Sequence, residues 1–193
     1  MATGSRLRVV RPRKRARVID REIMFTGKVF DVTRETIIEP SGVRATRDYV
    51  VHPGSVVVLP VLVDGRIVLI RQYRHAAGAS LWELVAGRKD EGESFEEGAR
   101  RELREETGYT ARRVRRLIEL FPSPGFVMEK MVIFLAEGLT KGAAQPEEDE
   151  RIETRILKLR EAERWIRTGK IHDAKTAAGI LYYSKFVARR GKR

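Results

Sequence analysis

Residues 87–109 read GRKDEGESFEEGARRELREETGY, and this stretch decides how the rest of the chain is read. It holds eight carboxylates and five basic side chains in 23 positions, a local charge of −3 inside a chain of formal charge +12. Ser94 is a good helix N-cap, and Glu97, three residues on, completes a capping box. Gly108 supplies a C-terminal stop. The spacing therefore predicts a helix between them. On it Glu102, Glu105 and Glu106 stand at i, i+3 and i+4 and share one face, with Glu97, Arg101 and Glu105 as an i, i+4 ladder beside them. Glu102 against Glu106 is a like-charge pair, unfavourable by about 0.2–0.5 kcal/mol in an isolated helix. A hard divalent cation reverses that sign, because Mg²⁺ takes carboxylate and carbonyl oxygens and bridges to substrate phosphates. The competing reading is a solvated surface helix laced with charge.

Outward from this helix the pattern is mostly strand. On the N-terminal side residues 24–54 alternate apolar and polar side chains around turn signals at Gly27 and at Pro40, Ser41 and Gly42, which reads as short antiparallel strands. Residues 55–63, SVVVLPVLV, and 66–73, RIVLIRQY, flank Asp64-Gly65 and form a hairpin. Residues 81–87, LWELVAG, read as one further strand ending in a turn. Beyond the helix come strands over 114–121, 131–138 and 151–159, then helices over 160–169 and about 173–187. Mixed strands with a few helices give an α/β or α+β sandwich.

Composition narrows the function classes. The chain of 193 residues suits one ordinary domain and has no cysteine, which excludes disulfides, thiolate metal sites and cysteine nucleophiles and fits a cytoplasmic setting. No apolar run reaches the roughly 18–20 residues of a membrane helix. Residues 1–19 carry seven basic side chains and residues 185–193 carry five, neither with an acid, so the ends account for all of the +12 and residues 20–184 sum to zero. A neutral body with basic ends is weak support for a nucleic-acid surface and leaves at most contact by the tails. The expected organisation is a basic N-terminal tail over 1–17, N-terminal strands over 18–54, the main domain over 55–187 and a basic tail over 188–193.

The helix stretch fits a longer pattern: Gly87, Glu93, Arg101, Glu102, Leu103, Glu105, Glu106 and Gly108, with Tyr109 where an aliphatic residue is usual. It resembles the Nudix box of the Nudix hydrolases. The resemblance implies an α/β/α sandwich with a mixed sheet, hydrolysis of a nucleoside diphosphate linked to another moiety, and Mg²⁺, with Mn²⁺ as the other choice. It implies metal ligands at Glu102, Glu106 and the Ala86 carbonyl, with Glu105 either a ligand or a carboxylate behind the ligands. Arg101 and Glu93 come out as structural, paired to hold the loop, with Gly87 and Gly108 as the box glycines.

The flanks are similar to the ADP-ribose pyrophosphatase group over most of residues 20–185: RQYRHAAGASLWELVAGRKDEGES before the box, with Val85 where proline is usual, and Pro124 in FPSPGFVMEK after it. That resemblance implies ADP-ribose as substrate, with GDP-mannose, an oxidised guanine nucleotide, an RNA 5′ end or a non-catalytic ADP-ribose sensor as alternatives. In QPEEDERIET it implies Glu148 as general base and Glu150 as a further metal ligand, with Glu147 open as the alternative to either. Arg74 is placed at the diphosphate or terminal ribose, Arg47 on the nucleoside side and Glu129 at ribose hydroxyls. A homodimer is implied, with Phe25 or Phe30 either stacking on adenine or lying in the core.

Overall fold

A computed structural model describes residues 15–144 and 151–188, and the chain divides into two compact units, Met1–Val51 and His52–Arg193. In the first unit β1 (Arg17–Thr26), β2 (Asp31–Ile38) and β3 (Arg44–Val51) form an antiparallel meander. Its first strand starts at Arg17, seven residues ahead of the alternating stretch that marks it in the sequence. Charge pairs stitch the strands where the register sets them opposite one another: Arg21 donates to Glu35 at 2.7 Å, and Arg34 to Asp48 through two bonds of 2.8 Å. Every residue of β1 is exposed, including Ile19, Ile23, Met24 and Phe25.

The second unit runs β4 (Ser55–Val61), β5 (Arg66–Arg74), a single 3-10 turn (His75–Ala77), β6 (Ala79–Glu83), β7 (Val85–Arg88), α1 (Phe95–Thr107), β8 (Tyr109–Leu120), β9 (Val127–Met128), β10 (Met131–Lys141), β11 (Glu153–Lys158), α2 (Leu159–Arg167) and α3 (Ala174–Phe186). The main sheet has the order β11-β5-β4-β10-β8, with β6 on β5 and β7 on β4; β4 and β10 run parallel and the other pairs antiparallel. Alternate residues of each central strand enter opposite cores. Val57, Leu59, Leu69 and Ile133 pack with Trp165, Ile180 and Tyr183 of the two C-terminal helices, while Val56, Val58, Val68 and Val132 pack with Ala99 and Leu103 of α1. A strand buried on both faces reads as a continuous apolar run, which is how SVVVLPV reads. The layers are therefore helix, mixed sheet, helix, the α/β sandwich expected from the sequence.

The 64–65 hairpin forms, with Gly65 at φ +80° and Gly65 N bonded to Leu62 O, yet its two strands pair only around Val61 and Ile67 before taking other neighbours. The stretch LWELVAG is not one strand. It breaks at Leu84, so that β6 lies on β5 and β7 on β4. Leu84 N is drawn out of the ladder by Thr176 Oγ1 of α3, at 2.7 Å. That break places the functional side chains described next.

Candidate active site

The helix α1 starts and stops where its caps say. Ser94 Oγ accepts from Glu97 N, the Glu97 carboxylate accepts from Ser94 N at 2.8 Å, and Gly108 closes the other end at φ +72°. An alanine at 108 would place its Cβ 2.5 Å from Gly142 O, so the glycine is required by space as well as by backbone angle. Tyr109, the departure from the box, opens β8 and is buried in the α1 core.

Arg101 is the hub of the loop–helix. Its guanidinium forks onto Glu93 (3.0 and 3.1 Å), reaches Arg88 O at 3.0 Å, and donates to Glu102 at 2.7 Å and Glu105 at 3.1 Å. Five donors in a planar fork make this geometry available to arginine alone. The bond from Arg101 is the main reason the Glu93 carboxyl sits below its ordinary range, and Asp90 N adds another. Gly98 makes room for this pair, since a Cβ there would lie 2.7 Å from Glu93 Oε2.

The other carboxylates stand against β7. A Cβ at Gly87 would lie 1.9 Å from Glu102 Oε1 and 2.1 Å from its Cδ, so the Glu102 carboxylate occupies the space a side chain would fill. Glu106, 3% exposed, accepts from Ala86 N at 3.2 Å. Two carboxylates thus flank consecutive strand residues, with Glu105 held by Arg101 and Arg104 on the outer side. Hard oxygen donors gathered at a strand end suit Mg²⁺ or Mn²⁺. In the arrangement present the acids are turned to Arg101 and to backbone donors, and among the described residues no three of them form a ready cluster around one point. Glu147, Glu148 and Glu150 lie outside the described residues.

Arg74 at the end of β5 donates two bonds, 2.9 and 3.0 Å, to Glu83, and it also feels the charges of Glu106 and Asp173. Glu83 is 1% exposed, and Lys175 of α3 reaches its other side while also contacting the N-cap residue Asp173 at 2.8 Å. Burial pushes the Glu83 carboxyl upward, yet Arg74 and Lys175 outweigh it and hold the group below its ordinary value. Glu129 accepts from Ser55 Oγ and lies 3.8 Å from His52 Nδ1. Burial lowers the His52 pKa, aided by the Arg88 charge and opposed by Glu129. Arg47 belongs to the first unit, where it pairs with Glu39. Phe25 and Phe30 are there too, both exposed, their ring centroids 6.2 Å apart.

The sequence reading did not find Glu83, Lys175 or Gly98. A lone acid in an apolar strand was the available signal for Glu83. Its cation lies 92 positions away, and no spacing rule connects them.

A NUDIX domain model matches residues 51–179. The chain belongs to the Nudix family. It is 38% identical over 168 residues to an ADP-ribose pyrophosphatase of Bacillus subtilis, covering 86% of this chain and 91% of that one. It is 36% identical over 168 residues to a methanol dehydrogenase activator of Bacillus methanolicus, with the same coverage of 86% and 91%. Among solved structures it matches an ADP compounds hydrolase with a TM-score of 0.81 at 23% identity, over 93% of this chain and 98% of the other, a likeness of fold. The alternation of two cores about one mixed sheet is thus the Nudix architecture, and the loop–helix built on Arg101 lies within the matched residues.

Proposed function

We propose that this Nudix protein hydrolyses the diphosphate of a nucleoside diphosphate sugar, with ADP-ribose and water giving AMP and ribose 5-phosphate. The observation that carries the reading is the seating of Glu102 and Glu106 on Gly87 and Ala86, an oxygen-rich strand end beside the cationic side chain of Arg74. The similarity to ADP-ribose pyrophosphatase over most of the chain supports the choice of substrate.

A diphosphate resists attack because its own oxygens repel a nucleophile. Glu102, Glu106 and the Ala86 carbonyl would hold a divalent ion, with Glu105 behind them, and Glu150 would add a ligand. When bound, the ion neutralises the diphosphate and lowers the pKa of a coordinated water. The protein's own groups do the rest. Arg101 and Glu93 fix the loop so that the acids keep their places, Arg74 meets the anionic oxygens, and Glu148 takes the proton of the attacking water. The water oxygen ends on one phosphorus, and the bridging oxygen leaves with the other. Glu129 and Arg47 are assigned to ribose and nucleoside.

We further propose a homodimer. The support is β1, which carries Val18, Ile19, Ile23, Met24 and Phe25 exposed along a strand, more apolar surface than one edge of a small sheet normally leaves in water. Among the described residues no helix is long and apolar enough to cross a membrane. A cytoplasmic setting agrees with the absence of cysteine.

The test is a substrate panel of ADP-ribose, ADP-glucose, GDP-mannose, NADH and a 5′-triphosphate RNA with Mg²⁺, and a Glu106→Gln control. AMP and ribose 5-phosphate formed preferentially from ADP-ribose, and lost in the control, is the expected result. Preference for another member of the panel replaces the substrate and keeps the chemistry. No turnover with tight ADP-ribose binding makes the protein a sensor.

A further inference from the structure

The segment 83–86 joins β6 to β7 and is gripped from two sides. Ala86 N is bonded to Glu106 of α1. Glu83 and Leu84 N are bonded to Lys175 and Thr176 in the first turn of α3. One turn on, Gly179 lets the helix lie so close that a Cβ there would stand 2.8 Å from Leu84 Cδ1. The contact is therefore a fitted one, with Lys175, Thr176 and Gly179 forming a single face of α3.

Two cations and two carboxylates meet at this junction. Glu83 is buried and carries two cations, Arg74 on one side and Lys175 on the other. A buried carboxylate matched by Arg74 alone would be a neutral pair with little attraction for an anion. Lys175 shares the same carboxylate, and with its own partner Asp173 the two cations and two carboxylates sum to zero. Asp173 divides its contacts between Lys175 at 2.8 Å and Thr176 N at 2.9 Å, at the positive end of α3. Arg74 keeps a third of its side chain exposed (36%), while Lys175 is mostly covered (15%). Glu83 is thus divided between two cations, of which Arg74 is the more exposed and feels the charge of Glu106.

We propose that Lys175 is a positioning residue that shares and fixes the Glu83 carboxylate, so that Arg74 is held in place yet only partly neutralised by it and meets the substrate's diphosphate oxygens. This rests on the proposed reading of the site as one for a nucleoside diphosphate sugar. Two variants test it from opposite directions. Lys175→Gln removes one of the two cations on Glu83 and keeps a polar contact to it, with Lys175→Arg as the charge-retaining rescue. Asp173→Asn removes the competing negative charge and preserves the helix cap, since asparagine caps as well as aspartate.

The readouts are calorimetric binding of inorganic pyrophosphate in EDTA, KM and kcat for ADP-ribose with Mg²⁺, and the thermal midpoint. Lys175→Gln is expected to weaken pyrophosphate binding and raise KM by about tenfold, the scale of one charge-assisted contact, with kcat within about twofold. Lys175→Arg is expected to recover most of the loss, and Asp173→Asn to tighten binding about twofold to threefold. Because Lys175 acts through Arg74, Lys175→Gln added to Arg74→Met is expected to cost nothing further.

Unchanged pyrophosphate binding in both Lys175→Gln and Asp173→Asn overturns the proposal. So does an additive double variant, or a fall in kcat that follows the thermal midpoint with KM unmoved. Should Lys175→Gln not fold, Asp173→Asn decides alone: tighter binding supports the proposal, and equal or weaker binding overturns it. A wild type that turns over no ADP-ribose yet shows the Lys175-dependent pyrophosphate binding removes the proposed substrate and keeps this inference. Turnover with binding indifferent to the variants does the reverse.

Discussion

An alanine at position 87 would have to share space with the Glu102 carboxylate, 1.9 Å from its Cβ. Gly87 does not have a positive φ, so the residue is needed for its missing side chain and not for backbone freedom. Gly87→Ala is expected to displace Glu102 by an ångström or more and reduce kcat/KM about 100-fold, with overpacking of about 1–3 kcal/mol in the fold; a turnover assay across Mg²⁺ concentrations with a parallel melt checks both. Charge pairs at this scale also set an acid limit. Glu93 is held below its ordinary 4.5 first by the bond from Arg101, and Glu83 is lowered by Arg74 and Lys175 against the upward pull of burial. In both cases the unfolded chain takes up the proton first. Their stabilisation is therefore whole above about pH 4.5 and drains away as pH falls through the lowered folded values. Glu93→Gln is expected to be less stable than the wild type at neutral pH and to show a flatter acid arm, measured as denaturant midpoint against pH. Single residues were legible where a spacing rule reached them, as with Arg101 and Glu105, an i, i+4 pair that meets at 3.1 Å. Glu83 and Lys175 escaped because their pairing is made by the fold, across 92 positions.

The elements were legible where their ends carry their own chemistry. The capping box and Gly108 mark α1 in the sequence, and the helix runs Phe95–Thr107 as they require. Ser94→Ala removes one partner of that box and is expected to cost about 1 kcal/mol, a fall in the thermal midpoint of roughly 2–4 °C for a chain of this size. A melt followed by tryptophan fluorescence reads it directly, since both tryptophans, Trp82 and Trp165, lie in one cluster with centroids 5.5 Å apart under Arg155. At saturating substrate and room temperature the same variant is expected to keep its kcat, because the acids proposed for the site lie a turn or more beyond the cap. The break at Leu84 was not legible. LWELVAG is buried on both sides, so it lacks the alternation that would show which neighbour each half pairs with. What divides it is a hydrogen bond from Leu84 N to Thr176, a contact supplied by the last helix of the chain.

For the whole molecule, the charge distribution separates two roles that a pI near 10.3 would merge. Residues 1–16 and 189–193 together hold ten basic side chains and no acid, and without them the chain is left at about +2. The box acids and their arginines lie in the neutral stretch between, and β1 begins at Arg17, so removing both ends leaves every assigned side chain in place. The expectation is that chemistry at the box owes the ends only long-range attraction for an anionic substrate. That attraction is screened beyond about 8 Å at physiological ionic strength. A chain cut to residues 17–188 is expected to hydrolyse ADP-ribose with kcat/KM within about twofold of the full chain at 0.15 M salt, and to fall behind it only as salt is lowered. Retention on an anionic resin and binding of RNA should collapse in the same variant. Whatever RNA binding remains should show a smaller salt slope, since each phosphate that the basic ends no longer neutralise lowers that slope by about one counterion. If the truncation instead removes more than about nine-tenths of ADP-ribose turnover at 0.15 M salt while the melt is unchanged, the ends touch the substrate, and the partition of a neutral catalytic body from basic termini fails.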